Sequence, residues 1–330
     1  MAGIISVSEV HKTFRQPKRL PGLGGALRSL FSRQYTEVRA VSGISFDIAP
    51  GEAVGYLGPN GAGKSTMIKM MTGILVPSSG TLSVLGRTPH QQRMVNAAEI
   101  GVVFGQRSQL WWDLPVRDSF SLHRRIYDIA EPRYTQNLHY LSTMLAMDSY
   151  LDRPVRQLSL GQRMRAEIAM ALLHDPKILF LDEPTIGLDV VAKDAVRKFL
   201  SEVNRERGTT IVLTTHDLQD IEEICPRLIM VDDGKLLFDG ELPKLRESLG
   251  SRRRLTLEFA TDPGPLLLRN ARLASDDGAL KHFLLDREDI SILDVLTELG
   301  SGYDLKDVAL HEPAIEEVIR TFYQQKPVLQ

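Results

Sequence analysis

The sequence is poor in cysteine. Cys225 stands alone in 330 residues, so no internal disulfide framework and no multi-cysteine metal site can form within one chain. That scarcity fits a reducing compartment. Long apolar runs are also missing. No stretch approaches the roughly 20 residues that a membrane-crossing helix needs, and the chain is expected to be soluble. The opening "MAGIISVSEV" has no basic start followed by a long apolar core, which makes it a poor signal peptide. Neither sign of charge dominates. With 40 basic and 42 acidic residues the formal net charge is −2, so bulk binding to nucleic acid is not expected. No histidine, cysteine or carboxylate spacing suggests a structural metal. The length accommodates one large or two ordinary domains, with ample sequence to bury a core.

What the chain does have is concentrated in a few short stretches. "GPNGAGKST", Gly58 to Thr66, lies between the apolar runs "EAVGYL" and "MIKMMTGIL". Gly58, Gly63, Lys64 and Ser65 fit the spacing of a phosphate-binding loop, with Pro59, Asn60, Gly61, Ala62 and Thr66 completing it. A backbone wrapped around a polyphosphate turns tightly with its N–H groups inward, and side chains at those turns would collide with the ligand. The following helix adds its unpaired N–H groups and its dipole. Lys64 would reach the β- and γ-phosphates and Ser65 would ligate Mg²⁺. A glycine-rich turn with an accidental lysine is the alternative, and a strand before and a helix after argue against it.

"KILFLDEPT" adds a second constellation. Its continuous apolar run reads as a buried parallel strand ending at Asp182 and Glu183. Asp182 would hold Mg²⁺ through its water shell, and Glu183 would polarise a water for in-line attack on the γ-phosphate. An acidic pair after a strand is often only a solvated turn. Together with the loop upstream, it points to a nucleotide hydrolase rather than a kinase.

The sequence now resembles the ATP-binding subunit of an ATP-binding-cassette (ABC) transporter, over residues of about 4 to 245. "LSLGQRMR" resembles the family signature, with Leu160 where glycine is usual and Ser159, Gly161 and Gln162 retained. "FGQRSQLWWDLP" resembles the glutamine loop, in which Gln106 would contact Mg²⁺ and the attacking water. "IGLDVVAKD" resembles the D-loop with Asp189, and "LTTHD" the switch loop with His216 near the γ-phosphate. "EVHKTFR" places Phe14 where the family stacks an aromatic on adenine. Physical readings stand beside these. Ser159 is a good helix N-cap, and Met164, Ile168 and Leu172 share one face of the helix that follows. Gly161 allows a phosphate to approach that helix start. His216 follows the strand "TTIVLT", at the sheet edge where α/β proteins bind ligands.

The resemblance implies an α/β fold: a P-loop ATPase cassette with a RecA-like core, an antiparallel β subdomain and a helical subdomain, plus a small C-terminal α+β accessory unit. The expected division is 1–245 for the cassette, with a basic insertion at about 15–39 and the helical subdomain at about 107–158, and 246–330 for the accessory unit. ATP and Mg²⁺ are the implied cofactors. In the family the signature completes the site of the other subunit, so a second cassette is implied, a homodimer being the simpler default. Integral membrane permease subunits would hold the pair at the inner face of the cell membrane. The phrase "FGQRSQLWWDLPVRDSF" is most similar to subunits serving ABC-2 type export permeases. An importer subunit and a soluble, non-transport cassette ATPase stay open as alternatives.

Three further segments carry expectations. Neighbouring residues tend to point apart, so one of Trp111 and Trp112 is expected in the core and the other exposed at a permease-docking groove. The insertion holds Arg15, Lys18, Arg19, Arg28, Arg33 and Arg39 against Glu37, and it reads as a solvated loop with the short helix "ALRSLF", or as a contact for anionic lipid or the permease. In the tail, "RLTLEF" alternates as a strand and "SILDVLTELG" is an amphipathic helix ended by Gly300. Pro313 precedes a helix carrying Ile315, Val318, Ile319 and Phe322 on one face.

Overall fold

The computed structural model describes residues 3–17, 35–105, 107–248, 253–269, 271–285, 291–311 and 315–325. Gln106, Pro313 and most of the basic insertion, with Lys18, Arg19, Arg28, Arg33 and the "ALRSLF" helix, lie outside the described residues. The chain separates into two compact units, one ending at Glu241 and the other starting at Leu242.

In the first unit the apolar runs become the strands of a six-stranded sheet. Its order is β5 (Ile100–Phe104), β6 (Ile178–Asp182), β7 (Thr210–Thr214), β3 (Ala53–Leu57), β8 (Arg227–Asp232) and β9 (Lys235–Glu241). All neighbours are parallel except β9, which lies antiparallel at the edge. Every residue of β3 and β7 is buried, as expected where both faces of a parallel sheet are covered. This order matters for the site. The loops after β6, β7 and β3 leave three adjacent strands at the carboxyl edge, where open α/β sheets bind ligands.

A second, antiparallel sheet has the order β2 (Tyr35–Ile48), β1 (Ile5–Pro17) and β4 (Ser79–Val84). Ile5, Ile44 and Ile48 from it share a core with Tyr56 of β3 and with Met67 and Ile68 of α1 (Lys64–Met71). The β1–β2 pairing continues to Pro17 opposite Tyr35, with an exposed Arg15–Glu37 ion pair near its end.

Between β5 and β6 the chain is helical. It runs through α3 (Val116–Ile126), α4 (Glu131–Met144) and α5 (Leu160–Leu172), after a short α2 (Arg93–Ala97) before β5. Helix α5 starts where its sequence dictates. Ser159 caps it, accepting from the Gln162 N–H at 3.2 Å, while Gln162 Oε1 accepts from the Ser159 N–H at 3.0 Å. This reciprocal box satisfies two otherwise orphaned donors. Met164, Ile168 and Leu172 are all buried. Helix α6 (Val190–Arg207) is capped by Asp189 and ends at Gly208, whose φ of 64° lies in the left-handed region that glycine adopts freely. A short α7 (Leu218–Ile224) follows β7.

The second unit begins with α8 (Leu242–Ser248) and holds a four-stranded antiparallel sheet, β11 (Ala271–Asp277), β12 (Leu280–Leu285), β10 (Arg254–Phe259) and β13 (Leu305–His311). Leu255, Leu257 and Phe259 alternate inward along β10 and pack with Phe283 and with Val295 and Leu299 of α9 (Ile292–Leu299). Helix α9 has its own capping box, Ser291 with Asp294, and Gly300 ends it at φ 63°. Ile315, Val318, Ile319 and Phe322 of α10 (Ile315–Gln325) are buried. The α+β composition of the tail is the one the sequence predicts.

Candidate functional site

The Gly58–Thr66 stretch joins the central strand β3 to α1. Two of its glycines are required by close packing. A Cβ on Gly63, at φ 98°, would stand 2.2 Å from the Ala40 carbonyl oxygen, and one on Gly58 would stand 2.4 Å from that of Val231. Gly61, at φ 87°, differs: a Cβ there would meet nothing within 4 Å, so the loop opens outward at this point. Two glycines seat the loop against the chain and the third leaves its mouth clear.

Lys64 folds back into that mouth. Its Nζ donates to Gly58 O at 2.6 Å and to Pro59 O at 3.1 Å, and the side chain is buried. Burial pushes the ammonium below the ordinary lysine range, opposed by the nearby Glu183 and Asp182 carboxylates. A desolvated cation held only by carbonyls is poised for an anion at the loop.

One residue on, Ser65 Oγ donates to Asp182 Oδ1 at 3.3 Å. The same oxygen accepts from Thr214 Oγ1 at 2.6 Å, because the parallel register sets Asp182 beside Thr214 at the ends of β6 and β7. The Gly105 N–H donates to the Asp182 carbonyl at 2.8 Å, and a Cβ on Gly105 would stand 2.4 Å from the Glu183 carbonyl oxygen. One carboxylate and hydroxyl oxygens form a hard donor set, which suits Mg²⁺ retaining part of its water shell.

Glu183 occupies the left-handed region at φ 57°, an uncommon conformation for a residue with a Cβ. Its N–H is held by Thr214 O at 2.9 Å. Its carboxylate meets His216, whose Nε2 lies 2.5 Å from Glu183 Oε1. The Glu183 side chain is sheltered, whereas that of His216 is 48% exposed. A cleft of about 270 Å³ opens at Glu183, lined also by Ser65, Lys69, Arg107 and Asp182.

The structure thus gathers the loop, Ser65, Asp182, Glu183 and His216 in one region. It groups other sequence-predicted residues elsewhere. Ser159 and Gln162 hydrogen bond to each other, and Gly161 lies against Ala192, with 3.2 Å from its hypothetical Cβ to the Ala192 Cβ. Asp189 accepts from the Ala192 N–H at 2.8 Å. The signature start and the D-loop therefore pack together, away from the cleft lining. Leu160 spreads over Gly187, whose missing side chain leaves the space. Phe14 is half-buried on β1 with the Lys12 ammonium 5.1 Å from its ring centre.

Gln106 lies outside the described residues, but the chain after it is firmly held. The buried carboxylate of Glu167 on α5 accepts from Ser108 Oγ and, at 3.1 Å, from the Gln109 N–H. The tryptophan expectation is corrected. Trp111 and Trp112 are both 53% exposed, because the Leu114 N–H donates to the Trp111 carbonyl and closes a turn, so the alternation of a strand does not apply. Arg163 of α5 lies over the Trp112 ring. Sequence reasoning missed Gly105 and Thr214. The hydroxyl ending "TIVLT" beside the Asp182 strand was the available signal for Thr214, but only the strand order makes the two neighbours.

Comparison with known proteins agrees with this arrangement. The family model described as ABC transporter matches residues 41–186. ABC transporter ATP-binding protein NatA of Bacillus subtilis is 35% identical over 218 residues, covering 66% of this chain and 88% of that protein. Nod factor export ATP-binding protein I of Paraburkholderia xenovorans is 36% identical over 208 residues, 63% of this chain and 68% of its own. Methionine import ATP-binding protein MetN 2 of Bacillus licheniformis is 30% identical over 312 residues, 91% and 84% of the two chains. Among solved structures, the dimeric post-hydrolysis state of the ATP-binding cassette MJ0796 bound to ADP and Pi superposes with a TM-score of 0.60 at 25% identity, over 72% of this chain and 98% of that one. With the loop, the carboxylate pair and the signature helix set as described, the chain belongs to the ABC transporter family as one of its ATP-binding, ATP-hydrolysing subunits.

Proposed function

We propose that the chain powers a membrane export complex as a head-to-tail pair of copies with two ATP molecules between them. One observation carries this reading. Within a single copy, Gly161 at the start of the signature helix lies against Ala192, whose N–H donates to Asp189, while Ser65 of the Gly58–Thr66 loop lines a separate cleft with Asp182 and Glu183. A site that needs both sets requires a second copy.

In this reading the loop amides and the start of α1 bind the phosphates. Lys64 exchanges its two carbonyl partners for phosphate oxygens. Ser65 and Asp182, with Gln106 in the role its sequence motif implies, would hold Mg²⁺, which would supply positive charge against the transferred phosphoryl group. Glu183 accepts the proton of the attacking water and His216 keeps that carboxylate aligned. Phe14 stacks on the adenine. The facing copy brings Ser159, Gly161, Gln162 and Asp189 to the phosphates. Closure then follows from contacts that only the ATP-loaded pair can make.

No described helix is long and apolar enough to cross a membrane, so attachment runs through permease subunits. The half-exposed Trp111 and Trp112, beside the glutamine loop, supply an aromatic surface for them. Export is supported by the Nod factor export relative and by the phrase around those tryptophans. Import is the second reading, favoured by the MetN-type relative, whose match extends over 91% of this chain.

Glu183→Gln removes the proton acceptor but keeps the side chain's size. In excess ATP and Mg²⁺ the full-length variant should sediment as a dimer with turnover reduced at least about 100-fold. Ordinary turnover refutes the role of Glu183, and a monomer under these conditions refutes the paired site.

A further inference from the structure

We infer that a buried polar network centred on Asp220 and Arg197 positions the hydrolytic pair; this rests on the reading of Glu183 and His216 as that pair. Asp220 on α7 is fully buried and Arg197 on α6 is 3% exposed. Asp220 accepts three hydrogen bonds: from Thr185 Oγ1 at 2.5 Å, from Thr215 Oγ1 at 2.7 Å and from Arg197 Nε at 2.6 Å. The two threonines are the informative partners. Thr185 lies two residues after Glu183, and Thr215 immediately precedes His216. A single carboxylate thus ties together the two turns that carry the pair.

The rest of the network holds that carboxylate and the His216 turn. Arg197 also pairs with Asp217 at 3.0 Å, and Lys193 of α6 reaches the same Asp217 at 2.6 Å. Thr215 Oγ1 accepts from the Asp217 N–H at 3.0 Å. The residues on either side of His216 are therefore fixed to α6 and α7, although the His216 side chain itself is half in solvent and has little packing to orient it. A buried ion pair adds little stability over an apolar core of the same shape. What these groups supply is geometry, because each hydrogen bond has one direction and one length. Small displacements of reacting groups are costly to catalysis, up to about 100-fold for a misplacement near 1 Å. Thr185, Thr215, Asp220 and Arg197 are thus positioning residues that act through Glu183 and His216.

The test uses the full chain with Thr185→Val and Thr215→Val, which remove one hydroxyl each at nearly constant shape, and Thr185→Ser and Thr215→Ser, which restore it. Each valine variant should lose about tenfold or more in kcat with KM for ATP within about twofold. The serine variants should turn over near the wild-type rate. Glu183→Gln, measured in parallel, separates the two levels of the argument. If it retains ordinary turnover, the hydrolytic assignment itself fails. If it is dead while the valine variants keep wild-type kcat, or change only KM, the positioning role is overturned and the assignment stands. Should a valine variant not fold, Arg197→Lys retains the charge and loses the rigid fork. It must then show the same fall in kcat at unchanged KM, and wild-type kcat in that variant overturns the inference.

Discussion

At the scale of single residues, backbone collisions decide as much as side-chain chemistry. Gly63 combines a φ of 98° with a carbonyl oxygen 2.2 Å from any added Cβ. Gly63→Ala should therefore destabilise the fold by about 3 kcal/mol, through both steric overlap and left-handed strain. Gly61→Ala, where the space is open, should cost only the strain. Urea unfolding of the two variants checks the contrast, and equal losses would contradict it. Gly58, Gly63 and Lys64 stood out in the sequence because their spacing is the signal, and Asp182 and Glu183 because a continuous apolar run ends at them. The Lys64 fold-back onto Gly58 O, the positive φ of Glu183 and the Thr214–Asp182 bond did not. The last two depend on where the distant end of β7 stands.

At the scale of elements, local rules placed the helices and non-local packing set their consequences. The Ser159 cap and the buried Met164–Ile168–Leu172 face were both read from the sequence of α5, and the return bond to the Gln162 side chain was not. Nor were the partners of the helical segment. His123 of α3 meets His174, just beyond α5, at 3.4 Å between ring nitrogens, with Tyr127 stacked on both. Burial, with the His174 ring adding to it, pushes His123 down to about 3 from the usual 6.5, and burial also lowers His174. The unfolded chain then binds protons near pH 6.5 that the folded chain refuses, so stability is full above that pH and falls as pH drops toward 3. His123→Phe keeps an aromatic ring and removes one titration. Its unfolding free energy should fall less steeply between pH 6.5 and 3, by up to about 1.4 kcal/mol per pH unit. Denaturant midpoints across that range provide the check, and parallel curves for the two proteins would contradict it. The half-exposed Trp111 and Trp112 teach the complementary lesson: alternation fails where the chain turns instead of extending.

At the scale of the whole molecule, strand order brings the pieces of the site together and leaves one piece outside. Adjacent β6, β7 and β3 deliver Asp182, His216 and the Gly58–Thr66 loop to one sheet edge. The signature start is delivered instead to the D-loop, against Ala192. The sequence announced both halves, yet their separation within a copy follows only from the folded chain. The C-terminal α+β unit was equally legible from the β10 alternation and from Gly300 at the end of α9. The central claim is that one complete site needs residues from two copies, and subunit complementation tests it most directly. Lys64→Ala disables the phosphate loop, and Ser159→Arg disables the signature start. Each variant alone should be inactive, and mixing them should restore ATP hydrolysis, since mixed pairs contain one site with both halves intact. A mixture no more active than its components, from variants that still fold and pair, would contradict the account.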